Sequence, residues 1–197
     1  MLTGNYLFED IDCYVCVDLE TTGLNPQNDA IIEIGAVRVE KNEIVDTFQT
    51  LVNPGYRIPA FITQLTGITT QMVADAPDIE TALGDFLEFA GNSRFVGHNI
   101  HCFDIKFICS KAERYLGKQV LNDYFDTLRL ARRLYPEERH NRLCDLIERF
   151  NIAEREEHRA LADALQTVEC LNYMKRLMED RNITFDDIRP GKPRHEL

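Results

Sequence analysis

Three short segments carry residue types suited to metal or acid–base chemistry. Asp18-Leu19-Glu20 closes the apolar run CYVCVDL at residues 13–19. Side chains two apart on a strand share a face, so both carboxylates project together. Two acids that close repel each other, and burying them is costly unless positive charge lies between them; a divalent cation is the usual answer. The second segment, Val96-Gly97-His98-Asn99-Ile100-His101-Cys102-Phe103-Asp104, ends a strand, passes through small and polar residues and opens a helix on an acid. The third is His158-Arg159-Ala160-Leu161-Ala162-Asp163. On an ideal helix its His and Asp lie about 140° apart. They converge only if His158 precedes the helix and folds back over its start. Taken singly, each segment has a plain alternative: a strand's exit into solvent, an acid capping a helix, and an exposed acid in a first turn. Asp163 lies off the Leu161/Leu165/Val168 stripe, which predicts that it faces solvent.

The elements that must position these residues follow from periodicity and turn residues. Residues 13–19 read as a buried strand, and TTGLNPQND after it as a loop. The β-rich runs 30–40 and 43–52 are separated only by Lys41-Asn42, which is hairpin spacing, so the first three strands form a meander. Short helical pieces are expected over 58–74. Apolar residues at 79, 82, 83, 86, 87 and 90 predict a helix over 78–90. Short strands are expected at 94–97 and 124–126, and helices at 105–116, 127–134, 141–150 and 159–179. Strands grouped first and then alternating with helices give a mixed α/β sheet with helices on its faces. Residues 1–180 form one domain in this reading, and 181–197 an irregular tail.

Composition narrows the function classes. The 197 residues are 44% hydrophobic and 28% charged, as in ordinary globular chains. No apolar run approaches a membrane span, and the first residues lack the basic start and apolar core of a secretory signal. Six scattered cysteines then read as reduced thiols, and the expected compartment is the cytoplasm. With 22 Lys+Arg against 33 Asp+Glu the net charge is −11, a field that opposes passive coating of nucleic acid. Nucleic acid held by bound cations or by a local basic patch stays compatible with it. Residues 127–142 hold five arginines (129, 132, 133, 139, 142) against two glutamates, a net +3, so the remainder carries −14. That stretch is either such a patch or a solvated helix face. Cys13-x-x-Cys16 resembles half a zinc site, but residues three apart on a strand face opposite ways.

Together the three segments resemble the DEDDh exonucleases, the DnaQ-like family that includes the epsilon proofreading subunits of bacterial replicative polymerases and ribonuclease T. The first motif looks like Asp18-Leu19-Glu20-Thr21-Thr22-Gly23, the second like Asn99 through Phe103-Asp104, and the third like His158 followed by Asp163. Ile31-Ile32-Glu33-Ile34-Gly35-Ala36-Val37 and Leu65-Thr66-Gly67-Ile68-Thr69 also look like the family's. Three residues separate Asn99 from Phe103, where the bacterial proofreading subunits commonly have two.

The resemblance implies a ribonuclease H-like, three-layer α/β fold, with a five-stranded mixed sheet flanked by helices. It implies a 3′→5′ exonuclease that releases nucleoside 5′-monophosphates. Asp18, Glu20, Asp104 and Asp163 would hold two divalent cations, Mg²⁺ or Mn²⁺, the acids contributing −4 and the ions +4. Two such ions about 4 Å apart clamp an in-line phosphoryl displacement, with Asp18 bridging and His158 as general base. Thr21, Thr22 and Gly23 would wall in the terminal nucleotide, Leu24, Ile68 and Phe103 would stack its bases, and His98 and Asn99 would contact it. The implied partner is nucleic acid with a free 3′ end, single-stranded DNA or RNA, with a DNA polymerase as a further one. Two other functions fit the same fold: a catalytically weak DnaQ-like module docking to a polymerase or other assembly, and an integrase-like endonuclease.

Overall fold

The run at 13–19 is apolar throughout rather than alternating, and its place in the molecule explains this. A computed structural model describes residues 3–155 and 157–189. Six strands form one mixed sheet among them: β1 (Tyr6–Leu7), β2 (Tyr14–Thr21), β3 (Ile31–Glu40), β4 (Glu43–Leu51), β5 (Phe95–Gly97) and β6 (Tyr124–Asp126), in the order β1-β6-β5-β2-β3-β4. β2, β3 and β4 make the expected antiparallel meander, while β2, β5, β6 and β1 run parallel. Lys41 and Asn42, at φ 53° and 64°, supply the left-handed pair that a two-residue hairpin turn demands. The sheet has six strands where five were expected. The extra one, β1, pairs only Tyr6 and Leu7 with Tyr124 and Phe125, too short a run for any alternation to show.

Six α-helices accompany the sheet among the described residues: α1 (Ala60–Thr66), α2 (Ile79–Ala90), α3 (Asp104–Lys111), α4 (Thr127–Leu134), α5 (Leu143–Phe150) and α6 (Ala160–Asp180). The Asp78 carboxylate caps α2 by accepting the Thr81 N–H at 2.9 Å. α3 continues as one π-helical turn, Ala112–Leu116, so the single helix expected over 105–116 changes winding midway. On one face of the sheet, Val15, Val17, Leu19, Ile34 and Ala36 pack against α2 and α3. On the other, Cys16, Val37 and Val39 pack against α4, α5 and α6. With helices on both faces, β2 and β3 are buried on both sides, hence their unbroken apolar sequences. Alternation along β2 puts residues 16, 18 and 20 on the α6 side, so the acids at 18 and 20 face that helix.

The chain beyond α6 is irregular but packed as far as Arg189. Phe185 meets Phe8 and Phe125 edge-on at 5.7 and 6.0 Å, and the Arg133 guanidinium donates to the carbonyls of Ile188 and Arg189. Residues 190–197 of the expected tail lie outside the described residues. No helix among the described residues is long and apolar enough to cross a membrane.

One glycine decides how closely α6 approaches the sheet. Gly35 on β3 lies opposite Asp18 in the β2–β3 register. A Cβ there would fall 2.1 Å from the Leu161 nitrogen and 2.2 Å from the Ala160 carbonyl carbon. Backbone therefore rests on backbone, and the first turn of α6 is seated directly over the acidic end of β2. Gly35→Ala must push strand and helix apart. We expect it to lower the unfolding free energy, measured by chemical denaturation, by about 1–3 kcal/mol, the usual cost of overpacking. Unchanged stability would mean that α6 does not sit against Gly35.

Candidate active site

β2 delivers Asp18 and Glu20 to the α6 side of the sheet, just before an irregularity in the β2–β3 register at Glu20/Thr21. α6 brings Asp163 to meet them from its first turn. Each of the three offers a carboxylate oxygen, and these oxygens lie within 4.8 Å of one another. Asp163 is only 2% exposed, which corrects the expectation that it faces solvent. The buried face of α6 runs through Ala160, Ala164, Thr167, Leu171, Met174 and Met178, whereas Leu161 and Leu165 are only partly covered. The leucine stripe thus marks the rim of the buried face, and Asp163 lies on its other side, over the C-terminal end of β2.

Asp104 joins from the opposite layer as the first residue of α3. It is not one of the three acids gathered within 4.8 Å, but its carboxylate accepts from the backbone of Leu19, the residue between Asp18 and Glu20. Burial pushes its pKa up to about 8, the nearby Asp126 charge adds to this, and backbone hydrogen bonds from Asp104 itself and Leu19 oppose it. Asp126, also buried, organises the loop between β5 and α3. Its carboxylate accepts the N–H groups of Asn99 (3.1 Å), His101 (3.3 Å) and Leu128 (3.0 Å), so it caps α4 while holding the second motif in place. Sequence reasoning passed over Asp126. The signal was an acid at a strand's end directly before a helix.

The third motif is fixed by the acid inside the apolar run Ile31-Ile32-Glu33-Ile34-Gly35-Ala36-Val37. Glu33 is fully buried on β3, opposite Glu20. Its carboxylate accepts from Arg159 (Nη2 at 2.7 Å, Nε at 3.1 Å), from the Ala160 N–H at 3.0 Å and from Gln49 at 2.9 Å. This bidentate pair ties the start of α6 to β3, and the one acid inside IIEIGAV was the sign that a partner must exist. His158, immediately before Arg159, is held at φ 53°, a left-handed conformation that turns the chain back over the helix start. This is the folding-back that the His158–Asp163 spacing requires. The Glu157 N–H donates to the Asp163 carboxylate at 3.2 Å, which closes the loop over the site.

A groove of about 970 Å³ opens beside these groups, lined among others by Asp18, His158, His98, Asn99, Leu65 and Arg142. The remaining expected contacts divide. Leu24 is 84% exposed at the mouth of the first-motif loop, available to a ligand. Asn99 lines the groove at φ 64°. Phe103 is half-buried, its ring 5.0 Å from that of Phe107. Ile68 is fully buried in a small cluster with Ile32, Ile58, Ile62 and Val73, so the expected base contact is corrected to a core role under α1. The Thr21 hydroxyl donates to the Gly23 carbonyl at 2.6 Å, and the Thr22 hydroxyl pairs with Tyr56 and accepts the Ala30 N–H. Both threonines are thus spent on shaping the loop. Asp29 packs where a side chain on Gly23 would go.

His98 lines the groove, but both its ring nitrogens are engaged. Nε2 donates to the Asn141 carbonyl at 2.9 Å, and Nδ1 pairs with the Thr127 hydroxyl at 2.9 Å. Burial lowers its pKa to about 4, so the ring is neutral at neutral pH. It braces the second motif against the α4–α5 connection while one side of it lines the groove.

An all-oxygen set of acids, half out of water, is chemically matched to hard divalent cations. Zinc, which favours His and Cys, suits it less. A sequence model of the RNase T exonuclease family matches residues 15–171. The chain is 48% identical to a PolC-type DNA polymerase III of Caldanaerobacter subterraneus subsp. tengcongensis, over 84% of its own length but only 12% of that relative's. It is 43% identical to the DNA polymerase III epsilon subunit of Aquifex aeolicus, over 79% of this chain and 77% of that one. Exonuclease X, solved with 5′-overhanging duplex DNA, superposes with a TM-score of 0.65 at 28% identity, covering 89% of this chain and 96% of that one. Exonuclease I of E. coli, solved with a dA16 oligonucleotide, shares the fold with a TM-score of 0.71 at 20% identity, over 89% of this chain and 42% of that one. The ribonuclease H-like architecture is therefore that of exonucleases, and the chain belongs to the RNase T exonuclease family.

Proposed function

We propose that the protein is a metal-dependent 3′→5′ exonuclease of the DEDDh type, which removes nucleotides one at a time from the 3′ end of DNA and releases nucleoside 5′-monophosphates. The observation that carries this is the meeting of Asp18, Glu20 and Asp163 within 4.8 Å, beside buried Asp104 and on a groove that His158 also lines. The polarity draws support from Exonuclease X, since the 5′-overhanging duplex solved with it presents a recessed 3′ end. DNA is favoured over RNA because the similar proteins named above are DNA polymerase III components and DNA-bound exonucleases. By the same route a replicative DNA polymerase is the proposed partner.

Asp18, Glu20, Asp104 and Asp163 would hold two divalent cations, Mg²⁺ or Mn²⁺. Bound there, such ions supply Lewis-acid stabilisation of the phosphate and of the leaving oxygen. The groove would admit the 3′-terminal nucleotide, with Asn99 along its wall and the exposed Leu24 as the proposed base contact. His158 takes the proton of the attacking water as its oxygen bonds to phosphorus, a task suited to an imidazole near neutral pH. The bond from phosphorus to the upstream 3′-oxygen breaks, that oxygen takes a proton from solvent water, and His158 returns its own proton to solvent. Glu33 and Arg159 act as positioning residues: they hold His158 and Asp163 where the reaction needs them.

A 3′-labelled single strand incubated with Mg²⁺ or Mn²⁺ should release labelled mononucleotide from the first turnover, and circular DNA should survive intact. Cutting of the circle, activity in excess chelator, or an Asp18→Ala variant as fast as the parent would overturn the proposal. His158→Ala should lower turnover about 10²–10⁴-fold, the usual contribution of a positioned base, with the affinity for Mn²⁺ by calorimetry largely kept. Lost affinity would reassign His158 as a ligand.

Asp104 adds a pH dependence. Its folded pKa of about 8 is raised above the ordinary 3.8, so between those values the folded, metal-free chain binds a proton that the unfolded chain lacks. Its contribution to stability is therefore present below about pH 4 and lost as pH rises through about 8. Cations bind the charged form, so their affinity should rise with pH up to about 8. Calorimetry at pH 7 in two buffers of different ionisation enthalpy should show protons released as Mn²⁺ binds. Release unaltered in Asp104→Asn would place the raised carboxyl elsewhere.

A further inference from the structure

Beside the catalytic groove lies a second hollow of about 270 Å³, lined by Arg132 of α4 and by the connection from Tyr135 to Arg142. Leu128 and Arg142 line both spaces, so the two adjoin. Three guanidinium groups and the His140 ring border the hollow, in a chain whose acids outnumber its bases by 33 to 22. The acids nearby do not neutralise it. Glu138, the one acid in the lining, pairs with Arg149 at 3.3 Å, and Asp145 holds Arg142 at 2.9 Å. Arg132 and Arg139 are exposed and make no hydrogen bond or ion pair among the described residues. With so many carboxylates in the chain, two exposed arginines left without an acid partner beside the active groove form a localised positive site within a negative molecule.

The frame that carries these arginines is pinned by hydrogen bonds at Asn141. Asn141 is buried, its carbonyl accepts from His98, and its side-chain oxygen accepts from Arg149 at 2.9 Å. The same His98 braces the second motif, so the basic connection and the catalytic loop are tied through a single ring. The charge of Arg132 reaches that ring, where it opposes protonation. Arg133, by contrast, is turned away to the carbonyls of Ile188 and Arg189. Arg129 lies over the Tyr6 ring at 4.3 Å and Asp145 holds Arg142, so of the five arginines in the basic stretch Arg132 and Arg139 are the pair offered to a ligand.

We propose that this hollow is an upstream phosphate subsite, in which Arg132 and Arg139 hold the backbone of the nucleic-acid strand whose 3′ end occupies the catalytic groove. The proposal rests on the exonuclease function above. It assigns that function a binding determinant which acts only on substrates long enough to reach past Arg142. It also accounts for how a chain of charge −11 retains a polyanion: the attraction is confined to one positive patch beside the groove.

The test uses the Arg132→Gln/Arg139→Gln double variant, whose exposed positions leave folding unaffected, with thermal unfolding as the check. Binding of a fluorescein-labelled thymidylate oligomer of about ten nucleotides is measured by anisotropy in chelator, across a salt series. Each single-strand phosphate contact contributes about 0.7 to the slope of log affinity against log salt. The variant's slope should therefore be shallower by about 1.4. Raising salt from about 50 to about 200 mM should then weaken the parent about sevenfold more than the variant. Turnover of a dinucleotide with Mg²⁺ should be equal in both proteins, while the oligomer shows a raised KM in the variant. Parallel salt slopes, or equal losses on dinucleotide and oligomer, would overturn the subsite. If the slopes differ but neither protein cuts any substrate, the subsite stands and the exonuclease function fails.

Discussion

Carboxylates drawn together in a partly dry pocket repel one another, and the arrangement of this fold is governed by the need to hold them there. Asp18 and Glu20 come from a strand, Asp163 from a helix more than a hundred residues later, and Asp104 from the opposite layer. Nothing in their own chemistry favours the meeting. It is imposed by rigid elements whose packing outweighs the electrostatic cost, and a cation of opposite charge relieves that cost when it binds. Burial sharpens the point at Asp104, whose carboxyl keeps its proton well above the ordinary range.

The decisive junction is where α6 lands on β3. Gly35 lets the two backbones touch, and buried Glu33 anchors the landing by gripping Arg159 and the Ala160 N–H. Both residues sit on the same face of β3, two positions apart, facing the helix. A small residue allows the approach, and a charged one fixes its register. His158 follows as a consequence: with Arg159 and Ala160 pinned, a left-handed turn leaves its ring nowhere to go but over the start of α6 and into the groove. On the other side, Asp126 and neutral His98 do the same for the second motif through backbone hydrogen bonds. Two anchored loops thus converge on the end of one strand.

Much of this was legible in the residues. The meander declared itself through Lys41-Asn42, the helix at 79–90 through its spacing, and the joint projection of Asp18 and Glu20 through the two-residue period of a strand. The folding-back of His158 followed from helical geometry. What escaped did so for identifiable reasons. β1 has two residues and no period. Asp163 was misplaced because Leu161 and Leu165 look like the centre of a buried stripe when they form its edge; small residues such as Ala160 and Ala164 mark the true contact, and they carry little hydropathic signal. Ile68 sits beside a motif yet fills a satellite core, a distinction only three-dimensional packing makes. The hydroxyls of Thr21 and Thr22 are engaged with Gly23, Ala30 and Tyr56, and a sequence does not show which hydrogen bonds are already made. Arg133 and Arg132 are neighbours, but one closes onto the tail and the other opens onto the hollow.

The most direct measurement is a crystal structure of the protein soaked in Mn²⁺, with anomalous scattering recorded at the manganese edge. The expected result is metal density bounded by carboxylate oxygens of Asp18, Glu20 and Asp163, at the distances of about 2.0–2.2 Å typical of hard divalent ions of this size. Asp104 should be drawn into the same coordination sphere. Manganese absent from that pocket, or bound elsewhere while these oxygens keep to protein partners alone, would contradict the claim that the fold exists to assemble a cation site.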